Sequence, residues 1–399
     1  MAKQAGDVRE PTKFERPTGD VPTAPNVPGS FLLVQFWRDI FGKEVQSAAT
    51  YSYLWMADQM GHVALGIILQ FTLTFLLQHV LGVAEAWASG IALVGISAVV
   101  SFWEYRAYSA SAAKAQGNTF PLDKTLLRDN AVIASAYMVF GVLGGYAFHL
   151  PGWWGAGVFV VALLLCVVCA PKWLRQKIIW QKAALPYLSR LADLNTPVAE
   201  GPAEAIRRFV HAPERDASKP ADWRQIVIAG AIGSGRTPMV TGLGTDLAFA
   251  GRKVRYMSFD DLVEIDDQFV AGRPLPPLGS WGPANIFYWP WFESEVLLID
   301  NVSPAVVEDL ESATADDVRS ALTEKLPHIR DVLCGRNTVW VFGLDHHLSE
   351  EEAQRLVEQY ASVIQNFCNS GEPPITVRLP APPWLEAARA SGHVGHHHA

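Results

Sequence analysis

The chain has 399 residues, half of them hydrophobic, enough for about two domains. Its charge is unevenly placed: residues 1–195 carry 15 Lys+Arg and 12 Asp+Glu, a net of +3, and residues 196–399 carry 17 and 28, a net of −11. An acidic C-terminal half lacks the basic footprint of non-specific nucleic-acid binding, which argues against nucleic acid as a partner.

Residues 1–30 are proline-rich and show no core-forming pattern, so a disordered or extended segment is expected, and no signal peptide. FLLVQFWRDIFGKEV (31–45) gathers Phe31, Val34, Phe36, Trp37, Ile40 and Phe41 largely on one side of a helix. It is too short and too charged to span a bilayer. Within a juxtamembrane region 31–60 it is expected to lie on the membrane surface, with packing against the soluble domain as the alternative.

Four apolar runs follow at 61–83, 84–103, 131–149 and 152–170, each near the ~20 residues that cross a bilayer. They predict an α-helical membrane domain of four transmembrane helices over 61–170. The 104–130 connection holds Arg106, Lys114, Lys124 and Arg128, and the exit from the fourth run holds Lys172, Arg175, Lys177 and Lys182. The tight turns near 83–86 and 149–152 hold none, so both termini are expected in the cytoplasm of a multi-pass protein of the bacterial inner membrane. His62, Gln78, His79, Glu104 and His149 fall near span ends, which favours an anchor or docking bundle over a transport pathway. Gly141 and Gly145 form a G-x-x-x-G that points to close helix packing. Cys166 and Cys169 make a C-x-x-C inside an apolar helix, which reads as packing; with Cys334 and Cys368 they give no disulfide framework. Residues 171–192 mix basic side chains with Trp173, Ile178, Ile179 and Trp180, as a helix on the inner membrane surface would. A linker with Pro197 and Pro202 completes 171–221.

From 222 the pattern changes to short buried strands alternating with helices: QIVIAG, RKVRYMS, VLLID, NTVWVFG and ITVRL are the five strands. That alternation predicts an α/β domain, 222–388, with a five-stranded parallel sheet covered on both faces. Ser349 is the expected N-cap of the helix SEEEAQRLVEQYASVIQNF, and Pro327 is expected to bend or break DDVRSALTEKLPHIRDVL. Between the first strand and its helix stands GAIGSGRT, Gly230–Thr237. The pattern G-x-x-x-x-G-K-[S/T] wraps backbone N–H groups around phosphates, sends a Lys to the β/γ oxygens and sets a hydroxyl on Mg²⁺. Gly230, Gly233, Ser234, Gly235, Arg236, Thr237 and Pro238 are therefore the candidate nucleotide-binding residues, and Thr237 with Asp300 the candidate metal ligands. Arg236 stands where the pattern has Lys, and a planar fork is not equivalent to a compact ammonium.

GAIGSGRTPMVTGLGTDLAFAGRKVRYMSFDDLVE followed by VLLIDN resembles the AAA+ P-loop ATPases of the helicase-loader and initiator group (IstB/DnaC/DnaA-like). Those families pair a glycine loop and helix with a G-x-x-V-x-[F/Y]-x-S strand, and their third strand ends in two acids. The resemblance covers roughly 222–388 and implies ATP or ADP with Mg²⁺ as the cofactor. It is a degenerate match. Asn301 replaces the second acid, which in the family helps activate water, and an amide is no general base. Glu295 and Glu308 are near in sequence but not at that position, and Gly343–Asp345 offers no Asn or Thr sensor. Arg336 reads as a structural surface arginine, with an arginine finger as the alternative.

Two features remain. The insert PLPPLGSWGPANIFYWPWFE (274–293) concentrates aromatics from Trp281 to Phe292, as either an interface or a flap over the sheet. The tail 389–399 with His393 and His396–His398 is expected to be a disordered end. The sequence thus predicts a membrane-anchored, nucleotide-binding but hydrolysis-impaired scaffold that docks other membrane-complex subunits, with a homo-oligomer possible. An active membrane-tethered ATPase is the alternative, and a membrane-located DNA-related ATPase a weaker one.

Overall fold

In the computed structural model, residues 51–115, 119–120, 124–194, 197–211, 224–270, 291–302 and 313–382 are described. They fall into two compact units divided between Gln181 and Lys182. The segments 1–30 and 31–45, most of the aromatic insert and the His tail lie outside the described residues.

The first unit is helical: α1 (Tyr51–His79), α2 (Glu85–Ala115), α3 (Lys124–Ala147) and α4 (Trp153–Lys182). All four are long and apolar enough to cross a membrane, over Asp58–His79, Glu85–Ala113, Leu127–Ala147 and Trp153–Pro171. Large apolar side chains point outward from them, among them Phe75, Val94, Trp103 and Val168. Small residues and a few polar clamps face inward. A Cβ on Gly141 would lie 2.1 Å from Val63 O and one on Gly66 2.2 Å from Met138 O, so α1 and α3 touch backbone to backbone. Buried Gln70 donates to Ser89 O at 3.0 Å, tying α1 to α2. Tyr137 donates to Cys166 O and accepts from Trp173 Nε1, both at 2.8 Å, tying α3 to α4. Cys166 and Cys169 pack against that cluster, as expected of apolar-helix cysteines. The stretch 171–182 is no separate surface helix: α4 runs through Pro171 to Lys182, and Trp173, Ile178, Ile179 and Trp180 are buried.

The second unit holds α5 (Glu200–His211), β1 (Gln225–Gly230), α6 (Arg236–Phe249), β2 (Val254–Ser258), α7 (Phe259–Val270), β3 (Val296–Asp300), α8 (Ala315–Lys325), α9 (Arg330–Cys334), β4 (Asn337–Gly343), α10 (Glu350–Cys368) and β5 (Ile375–Arg378). The sheet is five-stranded, wholly parallel, in the order β2-β3-β4-β1-β5. Alternate residues sort to its two faces. Val227, Ala229, Met257, Leu297, Ile299, Trp340 and Phe342 join α7–α10 in one core, where Phe342 stacks on Tyr360 at 4.4 Å. Their neighbours face α6, whose Gly244 approaches Leu298 and Leu185 closely enough that a Cβ would sit 2.5 Å from each.

Helix ends are fixed by side chains. Ser349 and Glu352 cap α10 reciprocally, Thr314 and Asp317 cap α8, and Ser258 and Asp261 exchange bonds at the start of α7. Pro327 does break its helix. Asp266 then accepts the N–H groups of His328 and Ile329 at 3.0 and 2.9 Å, turning the chain into α9. Cys334 and Cys368 carry free thiols, yet their sulfurs lie 2.8 Å apart, a contact that spacing alone does not suggest.

Candidate functional site

The connection from β1 leads to β2 at one edge of the sheet, while that from β4 crosses β1 to β5. Chains leaving two adjacent strands in opposite directions open a crevice at their carboxyl ends, where α/β proteins bind ligands. The glycine loop stands there. Gly230 ends β1, and a Cβ on it would come within 2.3 Å of Ser234 Oγ, so the loop folds back tightly over its own strand. Gly233 and Gly235 have φ of 76° and 88°, a conformation that glycine adopts at little cost. Ser234 N–H donates to Ala231 O at 3.1 Å, and Gly235 is the N-cap of α6. Ile232 and Gly233 form an exposed tip, with Arg236, Thr237 and Pro238 half-buried at the helix start. The start of a helix presents N–H groups that lack an intrahelical acceptor, which suits an anion.

Asp300 ends β3 and is 2% exposed. Thr237 donates its hydroxyl to Asp300 Oδ2 at 3.0 Å, Tyr256 donates to the same oxygen at 2.7 Å, and Asn301 N–H donates to Oδ1 at 2.8 Å. Thr237 and Asp300, sixty-three residues apart, are thus brought into direct contact. A hydroxyl and a carboxylate are oxygen donors of the kind Mg²⁺ takes, so this pair fits the expected metal. Tyr256 was not picked out as a site residue, although the alternation of β2 puts it on the side of Asp300. Burial first, then the bond to Asp300, pushes its phenol far above the ordinary tyrosine range. Tyr187 is a further neighbour: burial raises its pKa, a Thr241 contact opposes that, and the Asp300 charge adds to it.

The sequence matches no family model and no curated protein. Among solved structures, the crystal structure of the DnaC helicase loader is similar at 15% identity, over 51% of this chain and 99% of that chain, with a TM-score of 0.30. A likeness of that size says nothing about activity.

The remaining sequence candidates sort as follows. Asn301 is exposed with φ 55°, the left-handed region that Asn tolerates better than most residues. Glu295 sits at the opposite end of β3, where it accepts from Arg252 Nε at 2.9 Å and from Lys253 N–H, so it is no substitute base. Glu308 lies outside the described residues. Arg336 is structural but not on the surface: it is 3% exposed and donates to Val332 O, Trp291 O and Ser294 O at 2.6, 3.0 and 3.1 Å. A guanidinium so engaged is no arginine finger. Of the aromatic insert, Trp291 is buried beneath it, edge-on to Phe292. After β4, Leu344 N–H donates to Gly230 O at 3.0 Å, which places the next residues beside the glycine loop. There Asp345, His346 and His347 bring ligand atoms within 4.8 Å of one another. A search confined to Asn and Thr passes over them.

Proposed function

We propose that this chain is a membrane-anchored P-loop protein of AAA+ type that binds ATP or ADP with Mg²⁺ and is impaired in hydrolysis, acting as a scaffold or docking subunit of an inner-membrane assembly. The observation that carries the reading is the meeting of Thr237 and Asp300, 3.0 Å apart, beside a tightly turned glycine loop. In this reading Gly233, Gly235 and the start of α6 cradle the phosphates with backbone N–H groups, and Arg236 supplies positive charge toward them. Thr237 and Asp300 hold the Mg²⁺, which neutralises phosphate charge when bound. Tyr256 and Asn301 orient the Asp300 carboxylate. Asn301 has no basic oxygen, and Glu295 is committed elsewhere, so activation of water lacks its usual carboxylate. The four apolar helices and the basic connections support the anchor, and the acidic second half supports a protein rather than a nucleic-acid partner.

One observation favours the active-ATPase alternative: Asp345 and His346, 3.5 Å apart, follow the residue bonded to Gly230, and a carboxylate beside an imidazole is a pairing that can serve as a general base. Calorimetry of the full chain in detergent with ATP and ADP, with and without Mg²⁺, tests the main reading. Saturable binding that Thr237→Ala weakens in the Mg²⁺ arm is expected, with phosphate release at background. Absence of heat with either nucleotide ends the nucleotide reading. Robust phosphate release that Asp300→Ala and His346→Ala both abolish transfers the case to the active enzyme.

A further inference from the structure

We propose that Cys334 and Cys368 are a redox pair that closes into an intramolecular disulfide by exchange with a low-molecular-weight disulfide, and that the closed bond clamps the sheet around the strand carrying the glycine loop. This inference rests on the geometry of the sheet unit and stands apart from the nucleotide reading.

The two thiols are already placed for closure. Cys334 is the last residue of α9 and Cys368 the last of α10. Their sulfurs lie 2.8 Å apart. A disulfide is about 2.05 Å long, so joining them asks for less than about 1 Å of movement. Arg330 fixes the approach from the α9 side. Its Nε donates to Phe367 O at 2.7 Å and its guanidinium lies over the Phe367 ring at 5.3 Å, which holds the residue before Cys368 in place. Cys334 Sγ itself reaches Phe367 O at 3.6 Å.

The surroundings decide which sulfur reacts first. Both cysteines end helices, where unpaired carbonyls disfavour an anion, and the Arg330 cation one turn before Cys334 opposes that effect. The contact with Cys334 first, then burial, raises the Cys368 thiol far above the ordinary range, so Cys334 is the one that ionises. Both residues are partly exposed, within reach of a small reagent. The Cys334 thiolate attacks one sulfur of the small disulfide and expels one thiolate, leaving a mixed disulfide on Cys334. Cys368 then attacks Cys334 Sγ and expels the second thiolate. Two electrons pass from the pair to the small disulfide, which takes up the two cysteine protons and leaves as two thiols.

The consequence follows from the topology. Cys334 leads into β4 and Cys368 into β5, and both strands are hydrogen-bonded to β1. The bond therefore ties together the amino ends of the two neighbours of β1, while the glycine loop stands at the opposite, carboxyl end. It stiffens the sheet without touching the candidate nucleotide site. A link between residues 34 apart removes chain entropy from the unfolded state, which for a unit of this size raises Tm by roughly 5–15 °C.

The test uses the full chain in detergent, reduced and then freed of reductant. It is equilibrated with glutathione and glutathione disulfide at stepped ratios, alkylated, and mapped by peptide mass spectrometry, with Tm measured on the same samples. A Cys334–Cys368 linkage within one chain is expected, reversed by reductant and accompanied by that rise in Tm. Cys368→Ser should retain a glutathione adduct on Cys334 and show no such rise. Cys334 and Cys368 alkylatable at every ratio, linkage to Cys166, to Cys169 or between chains in place of this bond, or a Tm unchanged or lowered by closure overturns the proposal. If Cys368→Ser fails to fold, the mapped linkage and the two melting temperatures of the unaltered protein decide.

Discussion

Tyr256→Phe isolates the node on which the nucleotide reading turns. The ring stays, so packing is preserved, and only the hydroxyl that donates to Asp300 Oδ2 at 2.7 Å is lost. The bond is short and its acceptor is charged and 2% exposed, which places it among the stronger hydrogen bonds. Bonds of this kind contribute about 1.5–3 kcal/mol, which for a unit of this size corresponds to a fall of about 3–12 °C in Tm. In the Mg²⁺-bound state the sign reverses. Thr237 and Tyr256 both occupy Oδ2, and a metal must compete with their hydroxyls for that lone-pair density. Removing one competitor therefore enlarges the stabilisation that ATP with Mg²⁺ provides over ATP with a chelator. Unfolding is best followed through the thiols of Cys334 and Cys368 in a Cys166→Ala, Cys169→Ala background, because those two report on the sheet unit alone. A variant that melts with the wild type refutes the value given to the bond. One that melts lower but gains nothing from Mg²⁺ refutes Asp300 as a metal ligand.

Other outcomes follow from the same geometry. Arg336→Ala strands three backbone carbonyls and should cost at least about 3 kcal/mol in denaturant unfolding while leaving nucleotide affinity unchanged; loss of affinity at full stability would revive a finger role. Arg236→Lys with Asn301→Asp restores the ammonium and the second acid, and should raise phosphate release measurably above the wild type; a silent double variant would mean that the loop, not those two side chains, is unfit. At high pH, Tyr256 and Tyr360 are held neutral in the fold, first by burial, with raised pKa values. Their contribution is complete below the ordinary value of 10.0 and is lost as pH rises beyond it, so Tyr256→Phe should flatten the alkaline fall in Tm. At low pH the caps act in the opposite sense: Asp317 and Glu352 are lowered by their bonds to Thr314 and Ser349. Their support is present above 3.8 and 4.5 and fades as pH falls through their depressed values, an effect that Ser349→Ala should reduce in an acid titration.

What the residues disclosed in advance follows their physics. Val296–Asp300 and Asn337–Gly343 were legible to the residue because central parallel strands are continuous apolar runs. The α10 cap was legible because Ser349 precedes a run of acids. The Thr237–Asp300 contact was inferred from a motif, which supplies residue types but no distance. Tyr256 was missed because its role depends on β2, β3 and the start of α6 meeting, not on spacing. Arg336 was misplaced on the surface for a related reason: its acceptors are backbone carbonyls at 291, 294 and 332, which no side-chain pattern announces. The end of the fourth run was also misread. The mix of basic and aromatic residues after 170 suggests a helix lying on the membrane surface, yet the fourth helix continues through Pro171 to Lys182.

That last difference changes where the functional unit starts. β2 is an edge strand, and an exposed edge invites pairing. Here the chain just after α4 covers it: Tyr256 N–H donates to Ala183 O at 2.8 Å, and Arg255 reaches Lys182 O at 3.3 Å. Further along, Arg190 pairs with half-buried Asp246 of α6, and Leu191 N–H donates to the same carboxylate at 3.3 Å. Gly242 is what lets the segment lie down, since a Cβ there would come within 2.9 Å of Leu191 N. A fragment beginning at 222 would leave the Asp246 carboxylate without Arg190 and would uncover the β2 edge. It would also release the backbone of Tyr256, one of the three donors that hold Asp300. The segment 183–191 belongs to the same unit as the sheet and helps to hold β2, so a fragment meant to report on the glycine loop has to include it.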